Sequence, residues 1–148
     1  MMSVFDALEL AGRSLSVQRT RLDVASSNLA NAQTTRTEDG EFFRRRDVVL
    51  EDDALAASFG AHFDHALGES VRGVKVAEIR EDEAPPRMVH DPDHPDAGPD
   101  GFVAYPNINT VEEMVNMITT MRSYQANLNV LSGLREMAQR ALGIGRGV

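Results

Sequence analysis

Imidazoles and carboxylates crowd together in His90-Asp91-Pro92-Asp93-His94-Pro95-Asp96, and His62 and His65 stand three residues apart, so divalent-metal binding is the first chemistry to consider. Against it, the two prolines force an extended course, no third dedicated ligand is evident, and Asp beside Pro is ordinary turn chemistry. The loop therefore reads as structural. The seventeen carboxylates between residues 36 and 106 could supply an acid/base pair for a glycosidase, but no Trp and two Tyr leave little to line a sugar cleft. The absence of Cys removes disulfides, thiolate metal sites and cysteine nucleophiles. No Gly-x-Ser-x-Gly, Walker A or His-Glu-x-x-His pattern occurs. No catalytic residue, cofactor or metal is expected, and the chain reads as a non-enzyme.

The asparagines are more informative. Asn28 and Asn31 fall within Ala25-Ser26-Ser27-Asn28-Leu29-Ala30-Asn31-Ala32-Gln33-Thr34, and asparagine is a poor helix former that needs a reason to sit there. Two reasons stay open: ending the helix, and bonding to a neighbouring backbone so as to set register.

The element that carries them is a long helix. Val4, Leu8, Ala11, Leu15, Leu22, Ala25, Leu29 and Ala32 step by threes, fours and sevens, with Gln18 interrupting; Leu8, Leu15, Leu22 and Leu29 form a heptad seam. Ser3 and Asp6 could cap its start. A second helix is predicted from Thr110 to about Leu142, opened by a Thr110/Glu113 capping box. Met114, Met117, Met121, Tyr124, Leu128, Leu131, Ala138 and Leu142 form its stripe, widened by Val111, Val115 and Ile118. Gly143 to Gly147 reads as a frayed end.

Between the helices the periodicity changes. A turn is predicted at Glu38–Gly40, strands over Phe42–Leu50, Gly73–Arg80 and Arg87–Val89, and a loop over Asp91–Gly101. Arg44–Arg46 reads as a solvated strand end, and Asp53–Leu67 as a short helix or an insertion. The expected fold is mainly α with a small β element: long terminal helices packed as an antiparallel coiled coil, with a small β-containing middle domain inserted. The expected division is 1–35, 36–106 and 107–148.

Charge follows the same division. Residues 1–35 carry three acids and three bases, 36–106 seventeen and eight, and 107–148 three and four, within a net charge of −8. With no basic stripe, nucleic acid and anionic membrane are poor partners. No stretch approaches the roughly 20 apolar residues of a spanning helix, and the start lacks the basic flank of an ordinary secretory signal. The helical segments are richer in uncharged polar residues than in ions: residues 1–35 and 107–148 each hold twelve Ser, Thr, Asn and Gln, against six and seven charged residues. Amides and hydroxyls can be buried against another chain at far lower cost than ions. That pattern suits a subunit whose ends are buried in an assembly and whose acidic middle, including Glu51–Ser70, faces solvent.

These residues resemble a known family. Ser27-Asn28-Leu29-Ala30-Asn31 with Thr34 is similar to the signature of the axial proteins of the bacterial flagellum. Asp91-Pro92, His94-Pro95-Asp96-Ala97, Gly101-Phe102-Val103, Tyr105-Pro106-Asn107-Ile108-Asn109, Val111–Met117 and Arg122–Asn127 resemble the short proximal-rod members of that superfamily. The resemblance implies a structural subunit of a hollow drive shaft crossing the periplasm. It also implies export through the flagellar type III apparatus without signal cleavage, and self-assembly with FlgB, FlgF, FlgG and FliE as neighbours. The expected assembly interface comprises Leu8, Leu15, Leu22, Asn28, Leu29, Asn31, Met114, Met117, Ile118, Met121, Tyr124, Gln125, Asn127, Leu128 and Leu131. Alternatives are another short rod protein such as FlgB, a cytoplasmic coiled-coil adaptor, or a metal enzyme built on His90–Asp96.

Overall fold

The structure, a computed structural model, describes residues 4–37, 40–54 and 72–145. Helix α1 spans Val4–Ala30, strands β1 Arg46–Ala54 and β2 Arg72–Glu81 form one two-stranded sheet, β3 Arg87–His90 and β4 Phe102–Tyr105 form another, and helix α2 spans Thr110–Gly145. No described helix is long and apolar enough to cross a membrane. Two helices flanking a small β region is the class that the spacing predicts. His62, His65, Ser3 and most of Glu51–Ser70 lie outside the described residues.

The buried face of α1 is not its leucine row. Ala7, Ala11, Val17, Ala25 and Asn28, with Ala32 just beyond the helix, are buried, whereas Leu8, Leu15, Leu22 and Leu29 are half-buried. A strict seven-residue repeat drifts about 20° per heptad round a straight helix, so a leucine row lies beside the alanine face. Small side chains let other backbone approach that face closely.

On α2 the expected stripe divides in two. Met117, Tyr124 and Leu131, seven apart, are half-buried, while the parallel row of Met114, Met121 and Leu128 is exposed at 43%, 47% and 41%. Val111, Val115 and Ile118 are exposed beside it. Rows three residues apart are offset by about 60° on a helix, enough to turn one inward and the other out. Among the described residues the buried α2 positions are Glu113 and Thr120.

Local corrections follow from backbone bonding. The first strand begins at Arg46 instead of Phe42, because Phe43 is buried and the backbone of Arg46 is held by a side chain described below. The last strand, β4, is the extended piece that Pro106 ends. It pairs antiparallel with β3, His90 opposite Phe102 and Arg87 opposite Tyr105. Helix α2 is capped by Asn109, whose Oδ1 accepts the N–H of Val111 at 3.0 Å and of Glu112 at 3.3 Å, so the Thr110/Glu113 box is not how it starts. The helix also continues to Gly145, through glycines expected to fray.

The chain divides into two compact units. In the one formed by residues 1–20, 50–77 and 121–148, Arg13 bonds Glu9 at 2.8 Å and also Asp53. Lys75 bonds Glu51 at 2.8 Å and lies 3.6 Å from Asp53. The hydrogen bond and charge of Glu51, with the charge of Asp53, hold the Lys75 ammonium above the ordinary lysine pKa. Gly73 sits where an added Cβ would touch the Leu10 side chain and the Asp53 carbonyl at 3.4 Å. The other unit, residues 21–49 and 78–120, contains the polar cluster that the sequence motifs share.

Candidate functional site

Asn28 is 1% exposed, and both ends of its carboxamide bond the backbone of one residue. Its Nδ2 donates to the Arg46 carbonyl at 2.8 Å and its Oδ1 accepts the Arg46 N–H at 2.9 Å. The side chain thus pairs with β1 as an adjacent strand would, satisfying both backbone groups where the sheet begins. The same Nδ2 lies 3.5 Å from Glu113 Oε2.

Glu113 is 3% exposed, and its charge is met by Arg45, whose Nε donates to Oε1 at 2.7 Å. A buried carboxylate without such a donor would cost several kcal/mol. Burial works to lower the Arg45 pKa, but the hydrogen bond and charge of Glu113, with Asp47 and Glu112, outweigh it and hold the guanidinium above its ordinary value. Arg46 pairs with Glu81 at 3.1 Å and lies over the Phe43 ring. The basic run is therefore not a uniformly solvated strand end: Arg45 anchors α2, and Arg46 anchors β2.

Asn31 does the other job that was open for these asparagines. Its Nδ2 donates to the Ser27 carbonyl at 2.9 Å and its Oδ1 accepts the Thr34 hydroxyl at 3.1 Å, tying off the end of α1. The next residue of the motif reaches further. Thr35 donates to Asp96 Oδ2 at 2.7 Å, with Arg36 3.9 Å from the other oxygen. Asp96 is held in turn, its N–H donated to His94 Nδ1 at 3.1 Å. His90 packs edge-on against Phe102, centroids 5.0 Å apart, and Gly101 closes the loop at φ +73°. An added Cβ there would meet His90 Nε2 at 3.2 Å. Both described histidines are thus engaged in loop packing.

Asn28 and Asn31 lie in this region, Asn28 inside the cluster and Asn31 at the helix end. Other members of the expected interface are not part of the cluster: the apolar Met114, Ile118, Met121 and Leu128 and the polar Gln125 are exposed, and Asn127 is half-buried. Sequence reasoning missed Glu113, Arg45, Arg46, Thr35 and Asp96. The signal for Glu113 was present but was assigned to a cap; a buried carboxylate needs a cation, and Arg44–Arg46 is the one basic cluster.

The arrangement is a polar clamp in which Asn28, Thr35, Arg45, Asp96 and Glu113 are each bound to another part of the chain. It joins three segments far apart in the chain, Ser27–Thr35, Arg45–Arg46 and Asp96 to Glu113. The comparisons with known proteins cover the same segments. The family "Flagella basal body rod protein" matches residues 8–36, and "Flagellar basal body rod FlgEFG protein C-terminal" matches residues 100–144. The flagellar basal-body rod protein FlgC of Salmonella typhimurium is 39% identical over 145 residues, covering 98% of this chain and 100% of its own. FlgC of Bacillus subtilis is 38% identical over 152 residues, at 98% and 100% coverage. FlgC of Borreliella burgdorferi is 37% identical over 155 residues, at 99% and 100%. On identity of this extent, the chain belongs to the FlgC family, the structural rod subunits of the flagellar basal body.

Proposed function

We propose that this rod subunit polymerises through α1 and α2 into the proximal part of a hollow shaft that transmits torque and leaves a lumen for export. The observation that carries the reading is the outward apolar row of Val111, Met114, Val115, Ile118, Met121 and Leu128. A contiguous exposed row of this kind marks a surface that another chain covers, and the helix around it is poor in charge. The terminal segments 1–35 and 107–148 are then the polymerising parts. The acidic segment 36–106 forms the outward domain, with Glu51–Ser70 in solvent. Within the rod the helices pair as an antiparallel coiled coil, Leu8, Leu15, Leu22 and Leu29 on one side and Met117, Tyr124 and Leu131 on the other. The neighbours are further copies and the rod proteins FlgB, FlgF, FlgG and FliE. The subunit crosses the inner membrane through the type III export apparatus, uncleaved, and the rod spans the periplasm.

Ile118→Glu tests the reading. Ile118 is 53% exposed, so a single subunit should fold and be exported with the carboxylate in place. Its content in purified basal bodies should fall to background, because burying the charge against a neighbour costs several kcal/mol. A folded, exported variant present at wild-type level in basal bodies, with normal swimming, would sink the proposal.

A further inference from the structure

A recess of about 190 Å³ opens beside the clamp. Arg21, Val24, Ala25 and Asn28 of α1, Arg45 to Val48 of β1 and its approach, and Glu113, Asn116 and Thr120 of α2 line it. Its base is the buried Asn28, Glu113 and Thr120, and Glu113 is already matched by Arg45. Arg21 is different. Among the described residues it makes no hydrogen bond, ion pair or ring contact, and of the arginines in that condition it alone is half-buried, the others, Arg19, Arg80, Arg122 and Arg135, being exposed.

A half-buried guanidinium has lost part of its hydration and gains nothing in return until an anion reaches it. Arg21 stands with the amide of Asn116, also half-buried and unpartnered, at a recess whose Val24, Ala25 and Val48 walls suit an aliphatic stem. We infer that this recess receives the carboxylate side chain of a second copy of the same chain, Arg21 pairing with it in the assembled rod. The charge distribution selects the occupant. The chain carries 23 acids against 15 bases, and Glu78, Glu83 and Asp100 are exposed and have no partner among the described residues. Asp47 also lines the recess but forms no ion pair with Arg21, so an unpaired guanidinium here and unpaired acids elsewhere on the subunit make a heterologous contact, the kind that repeats along an open assembly.

This inference rests on the polymerisation reading, and the experiment separates the two. Full-length Arg21→Glu, Arg21→Met and Arg21→Lys are expressed in otherwise wild-type cells, checked for folding by circular dichroism, and measured in isolated basal bodies. Arg21→Glu should fall by about tenfold or more, as loss of a desolvated charge pair does. Arg21→Met should fall less, and Arg21→Lys should assemble. In Arg21→Lys basal bodies a zero-length carbodiimide should join the new amine to an Asp or Glu of a second copy, identified by mass spectrometry. Attachment solely to a different rod protein overturns the inference, as does normal incorporation of Arg21→Glu. If Arg21→Glu does not fold, the Arg21→Lys cross-link decides alone, its absence counting against the inference. Should Ile118→Glu be excluded from rods while Arg21→Glu enters normally, the recess contact fails and polymerisation through the helices stands.

Discussion

Asn28 satisfies two backbone groups of Arg46 from a site almost closed to water, and the cost of losing it follows from what is left behind. Asn28→Ala leaves a part-buried N–H and a part-buried carbonyl of Arg46 without this partner, at up to roughly 1–3 kcal/mol each before relaxation. The unfolding free energy from urea titration should drop by about 2–4 kcal/mol. Asn28→Asp keeps the acceptor but loses the donor and sets a carboxylate oxygen near the Arg46 carbonyl and Glu113, so it should be at least as damaging. A loss within experimental error for Asn28→Ala would show that the clamp is dispensable. Gln18 is the opposite case. Its Oε1 is buried without a hydrogen-bond partner, and the interruption it makes in the apolar spacing is visible in the sequence. Gln18→Met, similar in length, should raise stability by about 1 kcal/mol; a decrease would mean that the amide is satisfied in solution.

At the scale of the element, β1 and β2 are joined by charge as well as by their ladder. Lys75 of β2 faces Glu51 and Asp53 of β1, and its pKa is raised by the first of these above all. A raised folded-state pKa contributes stability that is complete below the ordinary lysine value of about 10.4 and fades as pH climbs through the folded value. Stability should therefore fall in alkali beyond that point by more in the wild type than in Lys75→Met, which has no such group to lose. Denaturant midpoints measured from neutral pH to strong alkali would check this; identical pH profiles would remove Lys75 from the account. The helices follow a different logic. Among the described residues the buried positions of α1 and α2 are mostly small or polar (Ala7, Ala11, Ala25, Asn28, Glu113 and Thr120), while Met114, Ile118, Met121 and Leu128 of α2 are exposed.

For the molecule as a whole, the proposed polymerisation makes ordering and assembly one event. On that reading the exposed apolar row of α2 is covered only on association, and association supplies burial that the described residues of the single subunit lack. Hydrogen exchange on the monodisperse subunit should show weak protection over residues 8–32 and 111–142, rising strongly in assembled rods. Strong protection in the monomer would refute the coupling. Leu22→Asp, placing a charge on the half-buried leucine row, should abolish incorporation into rods. The sequence alone determined both helices and three of the four described strands, because the 3.6-residue periodicity and turn chemistry are local properties of the chain, while β4 at Phe102–Tyr105 is defined by its pairing with β3. Its motifs determined the family as well, Ser27–Asn31 and Asp91–Asn127 being distinctive as they stand. Only the tertiary structure decided which helix face turns inward and which residue meets which. Asn28 reaches Arg46 across 18 positions and Arg45 reaches Glu113 across 68. No local spacing encodes such pairs. The capping box at Thr110 and Glu113 was a sound local reading that lost because a buried carboxylate gains more from a guanidinium than from one backbone N–H. The leucine heptad likewise identified a helix but not its buried side, since a row that drifts about 20° each heptad passes from one face toward the next.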